Sequence, residues 1–353
     1  MPKALIAMSG GVDSSAAAYL MQRSGYGCIG AMMKLYAGEE GEAPGKTCCS
    51  LADAQDARSV CARLGMPFYV FNYTAEFEAK VIEKFCGEYL AGRTPNPCID
   101  CNRYLKFELL LQRARLLGCA ALATGHYARV EQSGGSFLLR KAADITKDQS
   151  YVLYMLTQEQ LAQLCFPLGS MTKAQVRELA AELGFWNAEK PDSQDICFVQ
   201  DGDYGGFVER RLGLCNTAGS FVDSAGKPLG THKGHYRYTV GQRKGLGLAF
   251  DSPRYVLAKN PADNTVTLGK REELLKRECR VGEINLIALN SIERPMRVMA
   301  RTRYRQREQP ATLTQLAPDS LLLSFDEPQV VAPGQAAVIY DGEYVLGGGV
   351  IQA

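Results

Sequence analysis

Short apolar runs alternate with helical patterns over residues 1–130 of the chain. The apolar runs have the length of buried strands, and several of the helical segments end at a glycine. The predicted strands are residues 3–8, 28–33, 68–73 and 120–124, and the predicted helices are residues 14–24, 50–64 and 76–90. Ser50-Leu-Ala-Asp53 resembles a capping box that opens the helix at residues 50–64. Strands separated by helices of this length indicate right-handed crossovers and a doubly wound, mostly parallel sheet. Ligands bind such sheets beyond the carboxyl ends of the strands.

The pattern changes after about Asp201, beyond two further helical segments at residues 158–164 and 172–183. Short alternating apolar segments, with turn residues between them, lie at residues 219–223, 255–257, 265–268, 321–325 and 336–340. Their spacing predicts a small β-rich region followed by a β-barrel or a sandwich, of which we take the barrel as the prediction. We therefore expect three domains, at residues 1–205, 206–275 and 276–353.

The composition is that of a globular protein. The chain has 353 residues, of which 46% are apolar and 22% charged, and this length favours two or three domains. No apolar run approaches the roughly 20 residues that span a bilayer, and a strand follows Met1-Pro2-Lys3 without room for a signal peptide. We expect a cytoplasmic monomer with no membrane partner, whose twelve cysteines are mostly buried thiols. The net charge of +2 does not by itself indicate a nucleic-acid partner.

A glycine-rich turn, Ala7–Ser15, joins the first strand to the first helix. Gly10 and Gly11 allow backbone N–H groups at the helix N-terminus to approach an anion, and serine hydroxyls add further donors. The Lys-Ser/Thr end of a Walker A loop is missing, so the turn suits a pyrophosphate that departs from an α-phosphorus. Asp13 is then placed to help position magnesium. The alternative is a turn that binds nothing.

A CxxC motif stands in the stretch Thr94–Asn102, TPNPCIDCN. Two prolines precede Cys98, and a helix is expected to begin near Asn102, which is a candidate N-cap. Cys101 would then lie at a helix N-terminus, where the helix dipole favours the reactive thiolate.

A further cysteine, Cys197, follows a polar turn in the stretch Lys190–Val199. One alternative for these thiols is a zinc site, with Cys48 and Cys49 as additional ligands. The other alternative is burial in the core, which is usual for a lone cysteine followed by Phe-Val.

The loop SGGVDS resembles the pyrophosphate-binding loop of the ATP pyrophosphatase superfamily. Together with NPxxxCN and SQDICF in this order, it resembles the tRNA-specific 2-thiouridylase family, and the likeness covers nearly the whole chain. The other stretches that look like family signatures are residues 48–50, 124–127, 147–151, 238–247 and 303–306. The resemblance implies a Rossmann-like sheet of the adenine nucleotide α-hydrolase type, followed by the β-rich region and the barrel.

The resemblance also implies a reaction. ATP, expected together with Mg²⁺, adenylates the C2 oxygen of the wobble uridine of a tRNA, and sulfur then displaces AMP. By the match, Cys197 receives persulfide sulfur and Cys101 is the partner nucleophile, so the cycle ends with a Cys101–Cys197 disulfide. Two routes stay open, since hydrosulfide is released or the persulfide attacks C2 directly. The implied partners are tRNA, a persulfide donor such as a cysteine desulfurase or a sulfur-relay protein, and a reductant.

The family's binding residues are carried over by position. The ATP-binding residues would be Ala7, Met8, Ser9, Gly10, Gly11, Val12, Asp13, Ser14, Met33 and Gly125. The contacts to tRNA and its target base would be Asn96, Pro97, Cys98, His126, Lys147, Asp148, Gln149, Arg303, Tyr304 and Gln335. One departure is Cys98, where many members of the family carry aspartate. Either this thiol replaces the carboxylate, or Asp100 takes its place, or the role is dispensable, and the extra thiol is also able to form a competing disulfide.

Basic residues gather in the C-terminal half, at Arg294, Arg297, Arg301, Arg303, Arg305 and Arg307 and at Lys227, Lys233, Arg237, Arg243 and Lys244. Arginines at alternating positions from 301 to 307 are expected to share one face of a strand, and nearby tyrosines suit unpaired RNA bases. The alternative is a solvated strand face.

Two other functions compete with this prediction. A small-molecule synthetase or amidotransferase of the same superfamily explains the loop but not the cysteine motifs. A nucleotide-sensing or zinc-binding RNA module explains the basic residues without catalysis.

Overall fold

A five-stranded parallel sheet forms the first of two compact units in the computed structural model, which describes residues 1–36, 50–191, 195–199, 201–215 and 217–352. This unit comprises Met1–Val81, Cys98–Gln200 and Glu343–Leu346. Its strands are β1 (Lys3–Ala7), β2 (Gly27–Lys34), β3 (Phe68–Asn72), β4 (Ala121–Ala123), β5 (Ala128–Ser133), β6 (Ser136–Lys141) and β7 (Leu164–Cys165).

The parallel sheet has the strand order β3-β2-β1-β4-β7. Leu5 of the central strand pairs with Ile29 on one side and Leu122 on the other. All three apolar residues in the middle of β1 are fully buried, which is why this strand reads as a continuous apolar run. The strand order reverses direction between β1 and β4, so the loops that follow these two strands meet at the topological switch point.

The helices that accompany the sheet begin and end near the predicted residues. The α-helices before residue 200 are α1 (Val12–Arg23), α2 (Leu51–Arg63), α3 (Thr74–Phe77), α4 (Glu83–Leu90), α5 (Pro97–Asp100), α6 (Leu111–Leu116), α7 (Gln158–Leu161) and α8 (Lys173–Glu182). Of these, α4 belongs to the second unit. Two π-helical segments, Glu78–Ile82 and Cys101–Leu110, and a 3₁₀ turn, Ser150–Leu153, complete them.

One helix start was predicted wrongly. The helix expected near Asn102 begins at Pro97 and continues through the π segment to Leu116. Proline is favoured at the first helical position because its missing N–H would be unsatisfied there anyway and its φ already suits the helix. Cys101 is therefore one turn inside the helix, and Cys98 occupies the first turn.

Two β-sheets make up the second unit, which comprises Ile82–Pro97, Asp201–Gly342 and Gly347–Ala353. Its strands are β8 (Gly219–Val222), β9 (Pro228–His232), β10 (Tyr255–Asn260), β11 (Thr265–Gly269), β12 (Leu275–Leu286), β13 (Met296–Arg301), β14 (Gln309–Ala317), β15 (Ser320–Val330), β16 (Ala336–Asp341) and, from Gly347 on, β17 (Tyr344–Ile351). It also contains helices α9 (Tyr204–Leu212) and α10 (Arg271–Leu274) and a 3₁₀ turn, His235–Arg237.

The first of these sheets is four-stranded, in the order β10-β11-β8-β9. It surrounds a small core that contains the fully buried Phe221, Val256 and Val266. Strands β12, β15, β14, β13, β16 and β17 are antiparallel neighbours, and β12 also pairs with β17, which closes them into a barrel. The predicted fold class, a parallel α/β domain followed by a β-rich region and a C-terminal barrel, is thus confirmed.

The predicted strand face from Arg301 to Arg307 is wrong. Strand β13 ends at Arg301, and the following residues form bends and turns. Arg301 is itself buried and forms an ion pair with Glu308, while Arg297 forms one with Asp326. Alternating arginines therefore do not form a single cationic strip here.

Among the described residues, no helix has the length and apolar character needed to cross a bilayer.

The N-terminus of α2 offers a test of the local sequence signal. Ser50 Oγ accepts from the Asp53 N–H at 3.1 Å, and the Ser50 N–H donates to Asp53 Oδ2 at 3.1 Å, which is the predicted capping box. We expect Ser50→Ala to lower the free energy of unfolding by about 1 kcal/mol, because the helix loses its N-cap. The measurement is urea denaturation, taking the unfolding transition that includes the parallel sheet. Ser59→Ala, in the middle of the same helix, is the control and is expected to be neutral or stabilising. Equal effects of the two substitutions would contradict the capping role.

Candidate active site

The glycine-rich loop after β1 turns its carbonyl groups away from the helix N-terminus. Ser14 Oγ donates to the Gly11 carbonyl at 3.0 Å, and Ser15 Oγ donates to the same oxygen at 3.1 Å. Gly11 is the N-cap of α1 and makes no side-chain cap hydrogen bond, so the first-turn N–H groups are available to an anion. Gly10 has a φ of 74°, and a Cβ there would overlap the Asp53 backbone, so this position requires glycine.

Asp13 in this loop is held by a lysine that local sequence did not reveal. Lys173 Nζ, at the first residue of α8, donates to both carboxylate oxygens of Asp13 at 2.8 Å. Tyr127 OH, from the loop after β4, donates to Asp13 Oδ1 at 2.8 Å. Lys173 is only 8% exposed. The fold thus brings to the loop the positive charge that the missing Walker lysine would supply.

The expected magnesium does not fit Asp13 in this arrangement. Both of its carboxylate oxygens already accept hydrogen bonds from Lys173, and a metal would have to displace that ammonium group. Nowhere in the described parts of the chain do three His, Cys, Asp or Glu side chains gather into a metal-binding group. The Lys173 ammonium group therefore occupies the position at Asp13 that a metal ion would take.

The loop after β4 touches the glycine-rich loop through backbone atoms. A Cβ on Gly125 would lie 2.9 Å from the Asp13 carbonyl carbon and the Ser14 nitrogen, so no other residue fits without displacement. Gln149 Oε1 accepts from the Tyr127 N–H at 2.9 Å. Gln149 thereby holds the residue that contacts Asp13.

His126, which follows Gly125 in the loop after β4, is buried and neutral. Its Nδ1 lies 2.7 Å from Thr124 Oγ1, and its ring packs against Phe107 and Phe166 with centroids 5.7 and 6.0 Å away. Burial, with a smaller contribution from the charge of Lys106, keeps the pKa of this imidazole well below its usual value. It is therefore not a cation at neutral pH.

Other predicted residues of the first unit lie at the end of β2 and in the turn before the 3₁₀ segment at Ser150. Met33 is buried at the carboxyl end of β2, and Lys147 is half-buried in the turn before Asp148. Asp148 is buried and accepts from the N–H of Ala142 at 3.0 Å and from Ser150 Oγ at 2.8 Å. Asp148 thus fixes the turn that carries Lys147 and Gln149.

The cysteines divide into two groups by environment. Cys28, Cys61, Cys86, Cys119 and Cys279 are buried, and burial raises the pKa of Cys61 and Cys279 to about 12, so these thiols stay protonated. In contrast, Cys98 is exposed and Cys101 and Cys197 are half-buried. The motif cysteines are therefore among the accessible thiols. Cys48 and Cys49, and residues 192–194 just before Cys197, lie outside the described residues.

Cys101 is the first residue of a ten-residue π-helical segment. The next residue, Asn102, is buried and donates from Nδ2 to the Val152 carbonyl at 3.2 Å. Such segments are rare and are found at functional sites more often than elsewhere. After Cys197, the buried Phe198 packs edge-on against Phe77 with ring centroids 5.7 Å apart, which anchors that turn.

In the second unit, two of the predicted tRNA-contacting side chains donate hydrogen bonds to backbone carbonyl groups. Gln335 Nε2 donates to the Thr94 carbonyl at 2.7 Å, just before Asn96 and the buried Pro97. Arg303 Nη2 donates to the Val240 carbonyl at 2.6 Å, and the neighbouring Tyr304 is 38% exposed. Gln335 and Arg303 thus hold the backbone at Thr94 and at Val240, respectively.

Two more residues at the loop were missed, namely Asn187 and Lys190. Asn187 Nδ2 donates to the Gly10 carbonyl, and Lys190 Nζ approaches the same oxygen. Lys190 is the first residue of the polar stretch that carries Cys197. Its place beside a motif could have marked it as a candidate site residue. For Asn187 and Lys173 the sequence offered none, because their contacts depend on tertiary packing.

Three family models match the chain in sequence. They are described as a tRNA methyl transferase HUP domain at residues 2–201, a tRNA methyl transferase PRC-barrel domain at residues 206–270, and an aminomethyltransferase beta-barrel domain at residues 276–351. Fold and matches together define a tRNA-modifying class of enzyme built on a HUP domain with two β-domains.

Curated relatives identify the family within that class. The chain is 46% identical over 99% of its length to the tRNA-specific 2-thiouridylase MnmA of Clostridioides difficile (strain 630), covering 98% of that protein. It is 50% identical over 99% of its length to the protein of the same name in Geotalea uraniireducens (strain Rf4), covering 95%. A solved 4-thiouridine synthetase–RNA complex with bound ATP is 18% identical, with a TM-score of 0.39 over 60% of this chain and 50% of that one. The chain belongs to the tRNA-specific 2-thiouridylase family and is a sulfurtransferase.

The buried histidine gives a pH-dependence prediction. The unfolded chain protonates His126 at about pH 6.5, whereas the folded protein does so only at lower pH, so its contribution to stability is complete above about pH 6.5 and is lost as the pH falls. We expect lowering the pH from about 7.5 to 5.5 to reduce the melting temperature of the wild type more than that of His126→Asn. The slope is at most about 1.4 kcal/mol per pH unit. An equal fall in melting temperature for the wild type and His126→Asn between the two pH values would contradict this prediction.

Proposed function

We propose that this chain is a tRNA 2-thiouridylase that uses ATP to activate the wobble uridine and a cysteine persulfide to replace its C2 oxygen. The observation that carries the proposal is the loop at the switch point, whose carbonyl groups are turned inward, beside the buried Lys173. First-turn amides and one lysine suit a pyrophosphate leaving group. Family membership supports tRNA as the substrate.

In the activation step, the uridine C2 oxygen attacks the α-phosphorus of ATP and pyrophosphate departs. Residues 7–14 and Gly125 would bind the phosphates, and Met33 would lie against the adenine. Lys173 would share its charge between Asp13 and the bound phosphates. Magnesium would accompany ATP as a counter-ion of its phosphates, without Asp13 as a ligand.

Sulfur transfer would use Cys101 and Cys197 in either of two balanced routes. In the first, the Cys101 thiolate attacks Cys197 Sγ of the persulfide and releases hydrosulfide, which displaces AMP from C2. In the second, the terminal persulfide sulfur attacks C2 and expels AMP, after which Cys101 attacks Cys197 Sγ and releases the thiolated uridine. Both routes end in a Cys101–Cys197 disulfide, which a dithiol reductant returns to two thiols.

The partners follow from these steps. A cysteine desulfurase or a sulfur-relay protein would load Cys197, and the cytoplasm supplies the reducing conditions that the cycle needs. The tRNA would contact Asn96, Pro97, Cys98, His126, Lys147, Asp148, Gln149, Arg303, Tyr304 and Gln335. We assign catalysis and the contacts from Asn96 to Gln149 to residues 1–205, and the contacts of Arg303, Tyr304 and Gln335 to the barrel at residues 276–353. Residues 206–275 form the central domain.

Cys98 remains the departure from the family pattern. It is exposed in the first helical turn, whereas Asp100, its candidate substitute, is buried. Because exposure favours contact with substrate, we infer that Cys98, rather than Asp100, takes the position of the family's aspartate.

Single cysteine substitutions test the proposal. We expect Cys101→Ser and Cys197→Ser each to reduce sulfur incorporation at least about a hundredfold, because each removes a sulfur nucleophile. The measurement is mass spectrometry of tRNA incubated with protein, ATP and a persulfide donor, with no free sulfide added, because sulfide could displace AMP without either cysteine. Cys215→Ser, at an exposed cysteine outside both motifs, is the matched control.

The same variants separate the competing functions. tRNA-dependent ATP–pyrophosphate exchange should persist in both variants, since adenylation precedes the sulfur step. Normal thiolation in either variant would refute the two-cysteine mechanism. Exchange without tRNA would favour a small-molecule ligase, and tRNA binding without exchange a non-catalytic module.

A further inference from the structure

We propose that Asn187 and Lys190 are positioning residues that lock the Gly10–Gly11 peptide with its N–H toward the bound phosphates. This inference rests on the proposed function, in which the loop binds pyrophosphate. It concerns two residues outside the loop itself.

Two donors converge on one carbonyl oxygen. Asn187 Nδ2 donates to Gly10 O at 3.0 Å and to Ser15 Oγ at 3.0 Å, and Lys190 Nζ lies 3.4 Å from Gly10 O. Asn187 is 2% exposed, so its amide is fixed in place. Ser15 Oγ passes the contact on by donating to Gly11 O at 3.1 Å. Both glycine carbonyls of the loop are therefore engaged on its inner side.

The orientation of the peptide follows from its planarity. In a trans peptide the C=O of Gly10 and the N–H of Gly11 point in opposite directions, so donors on the carbonyl direct that N–H away from them. It points to the exposed side of the loop, where it donates to Ser9 Oγ at 3.4 Å and where a phosphate oxygen would take the place of that hydroxyl. Gly10 has a φ of 74° and Gly11 a φ of −90°. Because glycine populates both signs of φ, this peptide has an alternative orientation with its oxygen toward the anion. An oxygen in that position would repel phosphate, and the two donors disfavour it.

The charge of Lys190 is already compensated. Its Nζ lies 2.6 Å from Asp53 Oδ1 and 2.7 Å from Asp56 Oδ2, both on α2. Trp186 Nε1 also donates to Asp56, at 2.9 Å. Lys190 thus ties the loop to the carboxylates of α2, whereas Lys173 is paired with the loop's own carboxylate, Asp13.

The segment that bears the two donors is braced separately. Arg177 on α8 donates to the carbonyl oxygens of Ala188 at 3.1 Å and Lys190 at 3.2 Å. It holds the same segment without contacting Gly10. Arg177→Met is therefore a matched control that loosens the segment but leaves both donors present.

The test is direct binding of ATP and of inorganic pyrophosphate to the full chain by calorimetry. We expect Asn187→Ala and Lys190→Met each to weaken both affinities about tenfold, with Arg177→Met within about twofold of wild type. In tRNA-dependent exchange, KM for ATP should rise while kcat stays within a few-fold. Wild-type ATP affinity in both donor variants, or an equal loss in Arg177→Met, would overturn the proposal.

A second variant keeps the test decisive if Lys190→Met fails to fold. Asn187→Asp keeps the size of the side chain but replaces the amide donor by an oxygen facing Gly10 O. We expect it to bind pyrophosphate more weakly than Asn187→Ala does, whereas a pure packing role predicts the opposite order. If the wild type binds neither ATP nor pyrophosphate, the proposed function of the loop fails instead.

Discussion

The close approach of three backbone segments at the carboxyl end of β1 is the constraint on which the candidate site depends. Gly10 lies against the start of α2, and Gly125 lies against Asp13 and Ser14 at the start of α1. Neither position has room for a Cβ. The sheet order places these segments together, because β4 lies beside β1 on the side opposite β2. A loop with so little free space can present its amides to an anion without first having to be ordered.

Charges around this loop are arranged in compensated pairs. Lys173 neutralises Asp13, and Lys190 is matched by Asp53 and Asp56. Burial alone would lower the pKa of Lys190, but the hydrogen bonds and charges of the two aspartates outweigh it and raise this pKa above its usual value. Of the two lysines, Lys173 is the one shared with the loop's own carboxylate. An arriving phosphate would therefore compete with Asp13 for Lys173, and this makes Asp13 sensitive to occupancy of the site.

Sequence reasoning succeeded where one local pattern decides the structure. The apolar run of β1, the capping box at Ser50 and the barrel strands β15 and β16 follow from burial and turn chemistry within a few residues. It failed at Pro97, because a proline that precedes a helix and one that opens it have the same backbone φ. It also failed at Arg301–Arg307, since an alternating pattern does not show where a strand ends. Lys173 and Asn187 reach the loop from distant parts of the chain, and no local pattern encodes such contacts.

The stretch from Asn187 onward links the two halves of the proposed chemistry. Asn187 and Lys190 contact Gly10 of the glycine-rich loop, and the same stretch of chain leads on to Cys197. Phe198, directly after Cys197, is anchored in the core by Phe77. In the proposed reaction, the thiol that collects sulfur from another protein has to be accessible, whereas the loop that activates the base has to be rigid. Fixing the stretch at Asn187 and Lys190 and again at Phe198 satisfies both needs, because the half-buried Cys197 lies between two anchored points on one short piece of chain.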